Sequence, residues 1–381
     1  MKIYLIAGEN SGDFIGAKII NALHNRKNNL SIRAIGGNLI KQTGVDVLFD
    51  IEQINIMGFA EIIPNIFRLI KLFYKTIEDI IQYQPDVLIT IDAPGFSFKI
   101  AQKIKQKIPN TRLIHVVAPT VWAYNPNRAI KYSKIYDQLL TLFDFEPKYF
   151  RKFGLKTYCI GHPIFEQKFY DKSSKPILRK KYNICDDTKI ITITPGARKS
   201  EIIRHMPIII DSLQEISHMY KIKIFILQPN DKYFSLIGKF LKNINLDYSF
   251  SLNRLQIFAM SDAVIAKSGS NTLEIAASLT PMVVGYKVNF ISYLIIKFLI
   301  KIKFITIINI IANKEIIKEY IQYEFTANNL SKSIIELISD KQKSKLQISH
   351  SQAILKKLGF KSNNTASAKA AKIILDDSTN I

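Results

Sequence analysis

Cysteine is scarce in this chain: only Cys159 and Cys185 occur among 381 residues, and they lie far apart in the sequence. Two cysteines provide neither a disulfide framework nor a cysteine metal cluster, and this favours a reducing compartment such as the cytoplasm. The six histidines lack the spacing of metal ligands as well. We therefore expect no metal site.

The sequence also lacks an apolar stretch that we expect to span a membrane. The most apolar stretch, residues 288–312, contains Lys297, Lys301 and Lys303, and each central lysine costs about 2.5–3.5 kcal/mol on insertion scales. The opening run MKIYLIAGEN turns polar after a few residues, which predicts a buried first strand and not a signal peptide.

Acidic residues are few relative to basic ones. The chain has 31 Asp and Glu against 53 Lys and Arg, a formal net charge of +22. A hydrophobic fraction of 48% is typical of a globular protein, and the length favours two domains. A field this positive favours anionic partners, namely phosphate-bearing substrates, an anionic membrane face or nucleic acid.

Short apolar strands alternate with helical patterns over most of the chain. In the first half, the strand at residues 2–7 leads through GENSGD (8–13) to a helix expected to begin near Asp13. The alternation restarts after residue 163 and continues to about residue 288. This pattern predicts an α/β fold of two units, each with a parallel sheet, and a cleft between them. Ligands are expected at the carboxyl ends of the strands.

Two loops of the second unit are suited to an anion. TPGARKSE (194–201) puts Arg198 and Glu201 at a helix start, where backbone N–H groups and the helix dipole attract negative charge. AKSGSNTLEIA (266–276) repeats the arrangement, with Glu274 positioned to accept from ribose hydroxyls. Gly269 lets the backbone approach a ligand closely. Donors at the helix start are supplied by Ser268, Ser270, Asn271 and Thr272.

Ordinary structural roles compete with these interpretations. Arg198 is also explained as a solvated loop residue, and Glu274 as the capping partner of a Ser or Asn N-cap. Because two such loops occur in one unit, the sequence favours a nucleotide diphosphate over either ordinary role.

Asp92 ends an apolar strand in TIDAPGF (90–96). Partial desolvation at such a position raises the pKa of a carboxyl group and makes it a usable base. The sequence supports equally well a structural role for Asp92 as the N-cap of the next helix.

Trp122 either lines a sugar or acyl pocket or packs between helices, and packing is favoured. His162, in GHP, is either a site residue or an interdomain hydrogen-bond partner.

GENSGD is not a dinucleotide fingerprint, because it lacks G-x-G-x-x-G. Glu9 repels a pyrophosphate, and together with Asn10 and Ser11 it is better suited to hydrogen-bonding hydroxyls. This composition points to a sugar ligand.

Two segments, residues 65–77 and 290–304, mix large apolar side chains with lysine or arginine. Such segments either dip into a headgroup region, where each basic residue near anionic lipid contributes about 1 kcal/mol, or form core-facing helices with basic outer faces. Two of them in so basic a chain favour membrane contact.

Taken in order, the motifs resemble the lipid-A-disaccharide synthases, glycosyltransferases with two facing Rossmann-like domains (the GT-B arrangement). The resemblance covers roughly residues 1–330. The stretches that carry it are AGENSGD, AIGGNLIKQTG, IMGFAEIIP, TIDAPGFSFKIA, APTVWAYNPNR, FEPKYFRKFG, GHPIFE, TPGARKSEI, SGSNTLEIA, TPMVVGYKVN and NIIANKEIIKEYIQ.

The resemblance implies a reaction. Members of the family join UDP-2,3-diacylglucosamine to 2,3-diacylglucosamine 1-phosphate (lipid X), with inversion, and release UDP. It implies Asp92 as base for the acceptor 6-hydroxyl, with Glu9 and Ser11 also in the catalytic loop and Asn10, Trp122 and His162 in the sugar pocket. The implied nucleotide and phosphate residues are Arg198, Glu201, Ser268, Gly269, Asn271, Thr272, Glu274, Asn309 and Glu315.

Three positions depart from the family pattern: Gly95, Ala197 and Asn271. The last changes donor geometry in the phosphate loop, so its role is the least determined. The resemblance implies no cofactor, and it implies a cytoplasmic enzyme at the cytoplasmic face of a Gram-negative inner membrane. Its partners are both acylated sugars, the anionic membrane surface through residues 65–77 and 290–304, a second copy in a homodimer, and no nucleic acid.

The expected domains are residues 1–165 for the acceptor, 166–345 for the UDP-sugar, and 346–381 as C-terminal helices with a polar tail. A sugar-nucleotide epimerase or a peptidoglycan transferase is the nearest alternative, since either shares the second-unit loops. A non-catalytic basic protein that binds membrane or nucleic acid is the alternative from another class. It leaves Asp92 and both anion loops without a role.

Overall fold

The computed structural model describes residues 1–54, 59–171, 173–242, 244–290, 293–294, 298 and 302–376, with side chains omitted for residues 59–64. The chain divides into two compact units. The first comprises Met1–Glu166 and Ser362–Ile381, and the second comprises Gln167–Lys361.

The first unit is built on a seven-stranded sheet whose strands all run parallel, in the order β3-β2-β1-β4-β5-β6-β7. The strands are β1 (Lys2–Ala7), β2 (Ser31–Gly36), β3 (Asp46–Asp50), β4 (Val87–Ile91), β5 (Arg112–Val116), β6 (Gln138–Thr141) and β7 (Lys156–Cys159). The helices between them are α1 (Asn10–His24), α2 (Asn38–Lys41), α3 (Phe59–Tyr83), α4 (Pro94–Lys107), α5 (Arg128–Ser133) and α6 (Lys148–Arg151), with 3-10 turns at Ile51–Gln53 and Pro163–Glu166.

The central strands are mainly apolar because both faces of the sheet are covered. Leu5 of β1 lies between Ala34 of β2 and Ile89 of β4, and all three are fully buried. Exposed acidic residues occur at the edge of the sheet, as in β3, where Asp46 is exposed. This distribution is the one expected of a doubly covered parallel sheet.

The second unit repeats the plan with six parallel strands in the order β10-β9-β8-β11-β12-β13. The strands are β8 (Lys189–Thr194), β9 (Ile222–Leu227), β10 (Asp247–Ser251), β11 (Ala263–Lys267), β12 (Met282–Tyr286) and β13 (Lys318–Ile321). The described helices are α7 (Ser174–Lys181), α8 (Lys199–Ser217), α9 (Phe234–Leu241), α10 (Arg254–Met260), α11 (Asn271–Ala277), α12 (Ile307–Ala312), α13 (Ala327–Ser339) and α14 (Lys341–Lys357), with a 3-10 turn at Asp231–Tyr233.

Both units therefore confirm the predicted fold class of two Rossmann-like α/β domains. In each sheet the strand order reverses at one point, between β1 and β4 in the first unit and between β8 and β11 in the second. Ligands of open α/β sheets bind at the carboxyl ends of the strands beside such a reversal, which is called the topological switch point.

The C-terminal residues are shared between the units. Residues up to Lys361 pack with the second unit, whereas the final helix, α15 (Ala366–Asp376), belongs to the first. Glu166 accepts hydrogen bonds from the backbone N–H and the hydroxyl of Ser367, each at 2.7 Å, and Arg112 donates to the carbonyl of Ile374. A carboxylate at the N-terminus and a guanidinium at the C-terminus suit the helix dipole, so α15 is anchored at both ends.

Among the described residues, no helix is both long and apolar enough to cross a membrane. The IMG portion of the IMGFAEIIP motif lies outside the described residues.

Candidate active site

The first switch point brings the ends of β1 and β4 into direct contact. A Cβ atom built on Gly8 would lie 2.1 Å from the Cβ of Ala93, so only glycine fits after β1. The next residue, Glu9, is extended and caps α1, and Asn10 and Ser11 form the exposed first turn of that helix. The sequence-based start of α1 near Asp13 was wrong by three residues, because GENSGD is mainly helix and not loop.

Asp13 has a structural role that separates it from its neighbours in GENSGD. Its buried carboxylate accepts backbone hydrogen bonds from Gly37 (2.7 Å), Leu39 (3.0 Å) and Ile40 (3.1 Å), which are the otherwise unpaired donors at the start of α2. The same motif therefore supplies one fold-stabilising carboxylate, Asp13, and three polar residues at the start of α1, namely Glu9, Asn10 and Ser11.

Asp92 follows β4 on the other side of the switch point. Its Oδ2 accepts from the Ser11 hydroxyl at 3.4 Å, and its Oδ1 accepts from the backbone N–H of Ala93 at 2.9 Å. The N-cap position of α4 is Ala93, with Pro94 as the first helical residue. Asp92 is thus not the N-cap of this helix, which was the alternative role considered for it.

The backbone around Asp92 is strained. Asp92 and Ala93 adopt φ values of 51° and 46°, and Val117, at the end of neighbouring β5, adopts 74°. Positive φ costs non-glycine residues of order 1–3 kcal/mol each, and a β-branched residue is especially disfavoured there. Such conformations cluster at functional sites, and here three of them lie at the ends of two adjacent strands.

Burial raises the pKa of Asp92 above its ordinary value. The Ala93 N–H, the Ser11 hydroxyl and the positive charge of Arg128 lower it again, but by less than burial raises it. The result is a half-buried carboxylate that binds a proton more readily than an exposed aspartate, as a general base requires.

Arg128, at the start of α5, was not predicted as a site residue although it ends the motif APTVWAYNPNR. Its charge acts on Asp92, on the buried His115 and on Tyr132. In the sequence, Arg128 is distinguished only by its place at the end of this motif. The distance to Asp92 is set by the fold, and the sequence does not reveal it.

Trp122 and His162 take part in packing within the first unit. The Trp122 indole N–H donates to Glu146 at 3.3 Å and its ring meets Phe145 edge-on at 5.3 Å. Burial raises the pKa of Glu146 to about 7, against the opposing effect of three N–H donors. His162 accepts from the backbone N–H of Ile164 at 3.1 Å, and burial lowers its pKa to about 4, so it is neutral at pH 7.

The second switch point is organised by Glu201, the first-turn acid of α8. Its buried carboxylate accepts from the backbone N–H of Ala197 at 3.0 Å and pairs with Lys267 at 3.3 Å. Gly196 has a φ of 136°, and a Cβ there would lie 2.6 Å from the Cβ of Glu201. Glu201 therefore joins the loop after β8 to the end of β11 and is not itself turned outward toward an anion.

His205, one turn further along α8, fixes the other side of this loop. Its Nδ1 donates to the Pro195 carbonyl at 2.7 Å, and its Nε2 accepts from the backbone N–H of Lys287 at 3.1 Å. Burial lowers the pKa of His205, which favours the neutral form that this pattern requires. Sequence reasoning missed the residue, although its i+4 spacing from Glu201 was visible.

Arg198 is exposed at the N-cap of α8, the position predicted for it. Burial raises the pKa of the Tyr286 hydroxyl at the end of β12, and the charge of Arg198 opposes that rise. Lys267 lies 5.4 Å from the centre of the Tyr286 ring. Arg198 and Lys267 therefore share one region of the unit, beside the N-terminus of a 19-residue helix.

The loop after β11 is held by its own polar side chains. Asn271 donates to the Thr194 hydroxyl at 2.9 Å, Thr272 donates to the Gly269 carbonyl at 2.7 Å, and Ser268 donates to the Ile305 carbonyl at 3.0 Å. Asn271 thus joins the loop after β11 to the end of β8. These bonds shape the loop, while Gly269 and Ser270 are exposed.

Glu274 is buried and forms no capping box. Its Oε1 accepts from Arg254 Nε at 2.9 Å and from Gln167 Nε2 at 2.8 Å, and Arg254 also donates to Gln167 at 3.3 Å. The N-cap residue of α11, Ser270, makes no side-chain capping bond. The structural alternative for Glu274 is therefore excluded, and both of its bonds use the same oxygen.

Asn309 and Glu315 lie in different environments. Asn309 is fully buried: its amide donates to the Ile317 carbonyl and to Glu319, and its oxygen accepts from the N–H groups of Ile316 and Ile317, all within 2.7–2.9 Å. Glu315 is exposed and pairs with Lys318 at 2.9 Å. Asn309 thus shapes the turn, because its hydrogen-bonding capacity is used within the fold.

The two switch points differ in chemistry. The first presents a half-buried carboxylate with a hydroxyl, and the second presents cationic side chains on a rigid loop. Across the described part of the chain, no group of three or more His, Cys, Asp or Glu side chains is arranged to hold a metal ion.

Comparison with known proteins identifies the family. A family model described as lipid-A-disaccharide synthetase matches residues 3–374. The chain is 50% identical over 376 residues to the lipid-A-disaccharide synthase of Rickettsia bellii (strain OSU 85-389), covering 98% of each chain. The corresponding protein of Rickettsia prowazekii (strain Madrid E) is also 50% identical, with the same coverage.

The chain belongs to the lipid-A-disaccharide synthase family. It is accordingly a glycosyltransferase of lipid A biosynthesis, as the motifs predicted. A solved structure of UDP-GlcNAc 2-epimerase from Neisseria meningitidis, bound to UDP-GlcNAc, superposes with a TM-score of 0.66 over 100% of both chains at 14% identity. That likeness concerns the fold, and it agrees with the GT-B class assigned from the motifs.

Proposed function

We propose that this member of the family transfers the sugar of UDP-2,3-diacylglucosamine to the 6-hydroxyl of 2,3-diacylglucosamine 1-phosphate, releasing UDP. The observation that carries the proposal is Asp92, a half-buried carboxylate of raised pKa at the first switch point, hydrogen-bonded to Ser11. A sugar hydroxyl needs a base of this kind to become a nucleophile at neutral pH.

Asp92 removes the proton from the 6-hydroxyl while that oxygen attacks the anomeric carbon of the donor. The bond from the anomeric carbon to the diphosphate oxygen breaks, its electron pair leaves with UDP, and the configuration inverts. UDP departs as a stable anion, so a second carboxylic acid is not required, in contrast to glycoside hydrolysis. Glu9, Asn10 and Ser11 bind sugar hydroxyls at the same switch point.

We assign the acceptor to the first unit and the UDP-sugar to the second. Arg198 binds the diphosphate beside the N-terminus of α8, where charge-assisted hydrogen bonds and the helix dipole favour an anion. Glu274 accepts from a ribose hydroxyl through Oε2, since Arg254 and Gln167 occupy Oε1. Ser268, Gly269, Asn271 and Thr272 shape the loop around the nucleotide, and Asn309 and Glu315 belong to the segment that closes on it.

The same proposal includes a membrane surface on α3. Phe67 is 85% exposed, and Ile66, Ile70 and Tyr74 are exposed beside it. Arg68, Lys71 and Lys75 lie on the same exposed part of the helix. An outward face that mixes aromatic, aliphatic and basic side chains is suited to an anionic headgroup region, and a helix with only a basic outer face would not expose Phe67.

Most of the second predicted membrane segment, residues 290–304, lies outside the described residues, although Phe290 and Phe298 are exposed. The membrane proposal therefore rests on residues 65–77. The partners we propose are the two acylated sugars, the cytoplasmic face of an anionic inner membrane and a second copy of the chain, without nucleic acid.

Turnover tests the reaction. Purified protein is incubated with both substrates in detergent, with and without added divalent metal, and products are followed by mass. We expect a disaccharide 1-phosphate and UDP in equal amounts. A folded protein that binds UDP yet forms no disaccharide would contradict the proposal, and interconversion of a UDP-sugar without acceptor would identify an epimerase.

Vesicle sedimentation tests the membrane surface. Vesicles of phosphatidylethanolamine and phosphatidylglycerol are mixed with wild type, with Phe67→Ser/Ile70→Ser, and with the control Ile177→Ser. Ile177 is 71% exposed on α7, so the control removes a similar apolar side chain elsewhere. We expect the double variant to lose most of its binding and the control to bind like wild type. Equal binding by all three would exclude α3.

A further inference from the structure

Arg128 is a cation at the first switch point without an anionic partner of its own. Among the described residues no carboxylate lies within 4 Å of its guanidinium, whereas Arg33, Arg179 and Arg254 each pair with at least one. Arg128 is half-buried. A guanidinium in such a place gives up part of its hydration, and a bound anion restores the lost interactions.

A buried cluster under α5 fixes the position of Arg128. One turn along the helix, Tyr132 stacks on Phe98 of α4 at 5.0 Å and meets His115 of β5 edge-on at 5.1 Å. His115 Nδ1 is hydrogen-bonded to the Thr90 hydroxyl of β4 at 2.7 Å. These contacts hold α5 against the strands that end at Asp92 and Val117, so Arg128 is presented from a rigid base.

Two of the groups on which the charge of Arg128 acts are themselves uncharged. Burial lowers the pKa of His115 to about 3 and raises that of Tyr132 to about 12, so both are neutral at pH 7. Asp92 is an anionic group on which the charge of Arg128 acts, and the two side chains do not form a direct ion pair.

We propose that Arg128 binds the phosphate monoester of the acceptor sugar while Asp92 meets its 6-hydroxyl, an assignment that rests on the proposed function. The anomeric phosphate and the 6-hydroxyl are separate substituents that flank the ring oxygen of the hexose, so two separate protein groups are needed to meet them. A guanidinium binds a phosphate through paired donors, which fixes orientation as well as charge. Arg128 thereby selects a phosphorylated acceptor and turns its 6-hydroxyl toward the base.

Steady-state kinetics with two acceptors tests this assignment. Wild type, Arg128→Gln and the matched control Lys131→Gln, which removes an exposed charge from the same helix, are assayed with 2,3-diacylglucosamine 1-phosphate and with its dephosphorylated form. We expect Arg128→Gln to raise the KM for the phosphorylated acceptor roughly 10- to 100-fold, the range for a charge-assisted hydrogen bond. For the dephosphorylated acceptor we expect at most a twofold change, so the preference of wild type for phosphate disappears in this variant alone.

UDP affinity and the pH profile separate the competing roles. If Arg128→Gln loses activity equally toward both acceptors and the pH at which activity falls on the acidic side shifts, Arg128 acts only on the pKa of Asp92. If the variant binds UDP more weakly, Arg128 binds the donor diphosphate. Either result overturns the assignment. Failure of wild type to make any disaccharide would instead refute the proposed function.

Discussion

The two switch points use the same scaffold for opposite chemistry. At the first, Asp92 lies on a strained backbone and accepts a 3.4 Å hydrogen bond from Ser11 on the other side. At the second, Glu201, Lys267 and His205 hold the loop after β8 rigidly from within. A proton acceptor must keep its charge available, whereas an anion-binding loop must be shaped before the anion arrives. The fold places a site at the switch point of each sheet, and the side chains there determine whether it accepts a proton or binds an anion.

The largest effect is expected from Asp92→Asn. Removal of a general base lowers kcat by roughly 10²–10⁴-fold, while UDP binding remains. The matched control is Asp86→Asn, an exposed carboxylate at the opposite end of β4. If the activity of Asp92→Asn is within tenfold of wild type, the general base is another residue.

Asp92 also sets the pH dependence. Because its pKa is raised, wild-type activity should fall with decreasing pH at values above the ordinary range of an aspartate. A raised carboxyl pKa means that ionised Asp92 destabilises the folded state at neutral pH, a cost lost as the pH falls through that pKa. Asp92→Asn should therefore melt no lower than wild type at pH 7, and a lower Tm would contradict this reading of its environment.

Arg198→Gln tests the second switch point. Loss of one donor to a developing anion typically costs 10²–10³-fold, and we expect a fall of this size in kcat/KM for the UDP-sugar with a weaker UDP affinity. Lys239→Gln, an exposed lysine of α9 in the same unit, controls for lost charge. If both variants fall equally, the effect belongs to the overall field and not to Arg198.

Glu201→Ala asks whether loop rigidity contributes to binding. The change leaves the Ala197 N–H without its acceptor and Lys267 without its partner, so we expect the KM for the UDP-sugar to rise by about tenfold. Glu201→Gln keeps an acceptor for Ala197 and removes only the ion pair. Recovery of affinity in Glu201→Gln would assign the effect to the hydrogen bond. Wild-type KM in both variants would show that this loop needs no internal support.

The smallest effect on activity is expected from Trp122→Phe, because the indole packs on Phe145 and donates to Glu146 within the first unit. Glu146 loses one donor, which should lower the free energy of unfolding by about 1–3 kcal/mol. Because the pKa of Glu146 is about 7, its carboxyl group is more ionised at pH 8 than at pH 6, and the destabilisation should be larger at pH 8. Denaturant unfolding at both pH values measures this, and an equal loss would mean that Glu146 does not titrate there.

Residue pattern predicted the strands whose role is burial. The runs that became β1, β4, β8 and β11 are mainly apolar and almost wholly buried, because each is covered on both faces. Two edge strands were missed, β3 (DVLFD) and β13 (KEYI). An edge strand has one neighbour and tolerates charge, so its composition does not distinguish it from a loop.

The sequence by itself determined the family, the two-unit α/β plan and the motifs at the carboxyl ends of the strands, because these follow from local composition and motif order. Only the tertiary structure decided which motif residues face a ligand and which hold the fold. Asp13 and Asn309 form hydrogen bonds within the fold, and Arg128 lies near Asp92 although 36 positions separate them in the chain. Those contacts depend on strand order, which reverses once in each sheet and brings distant segments together. Local sequence does not encode that distance.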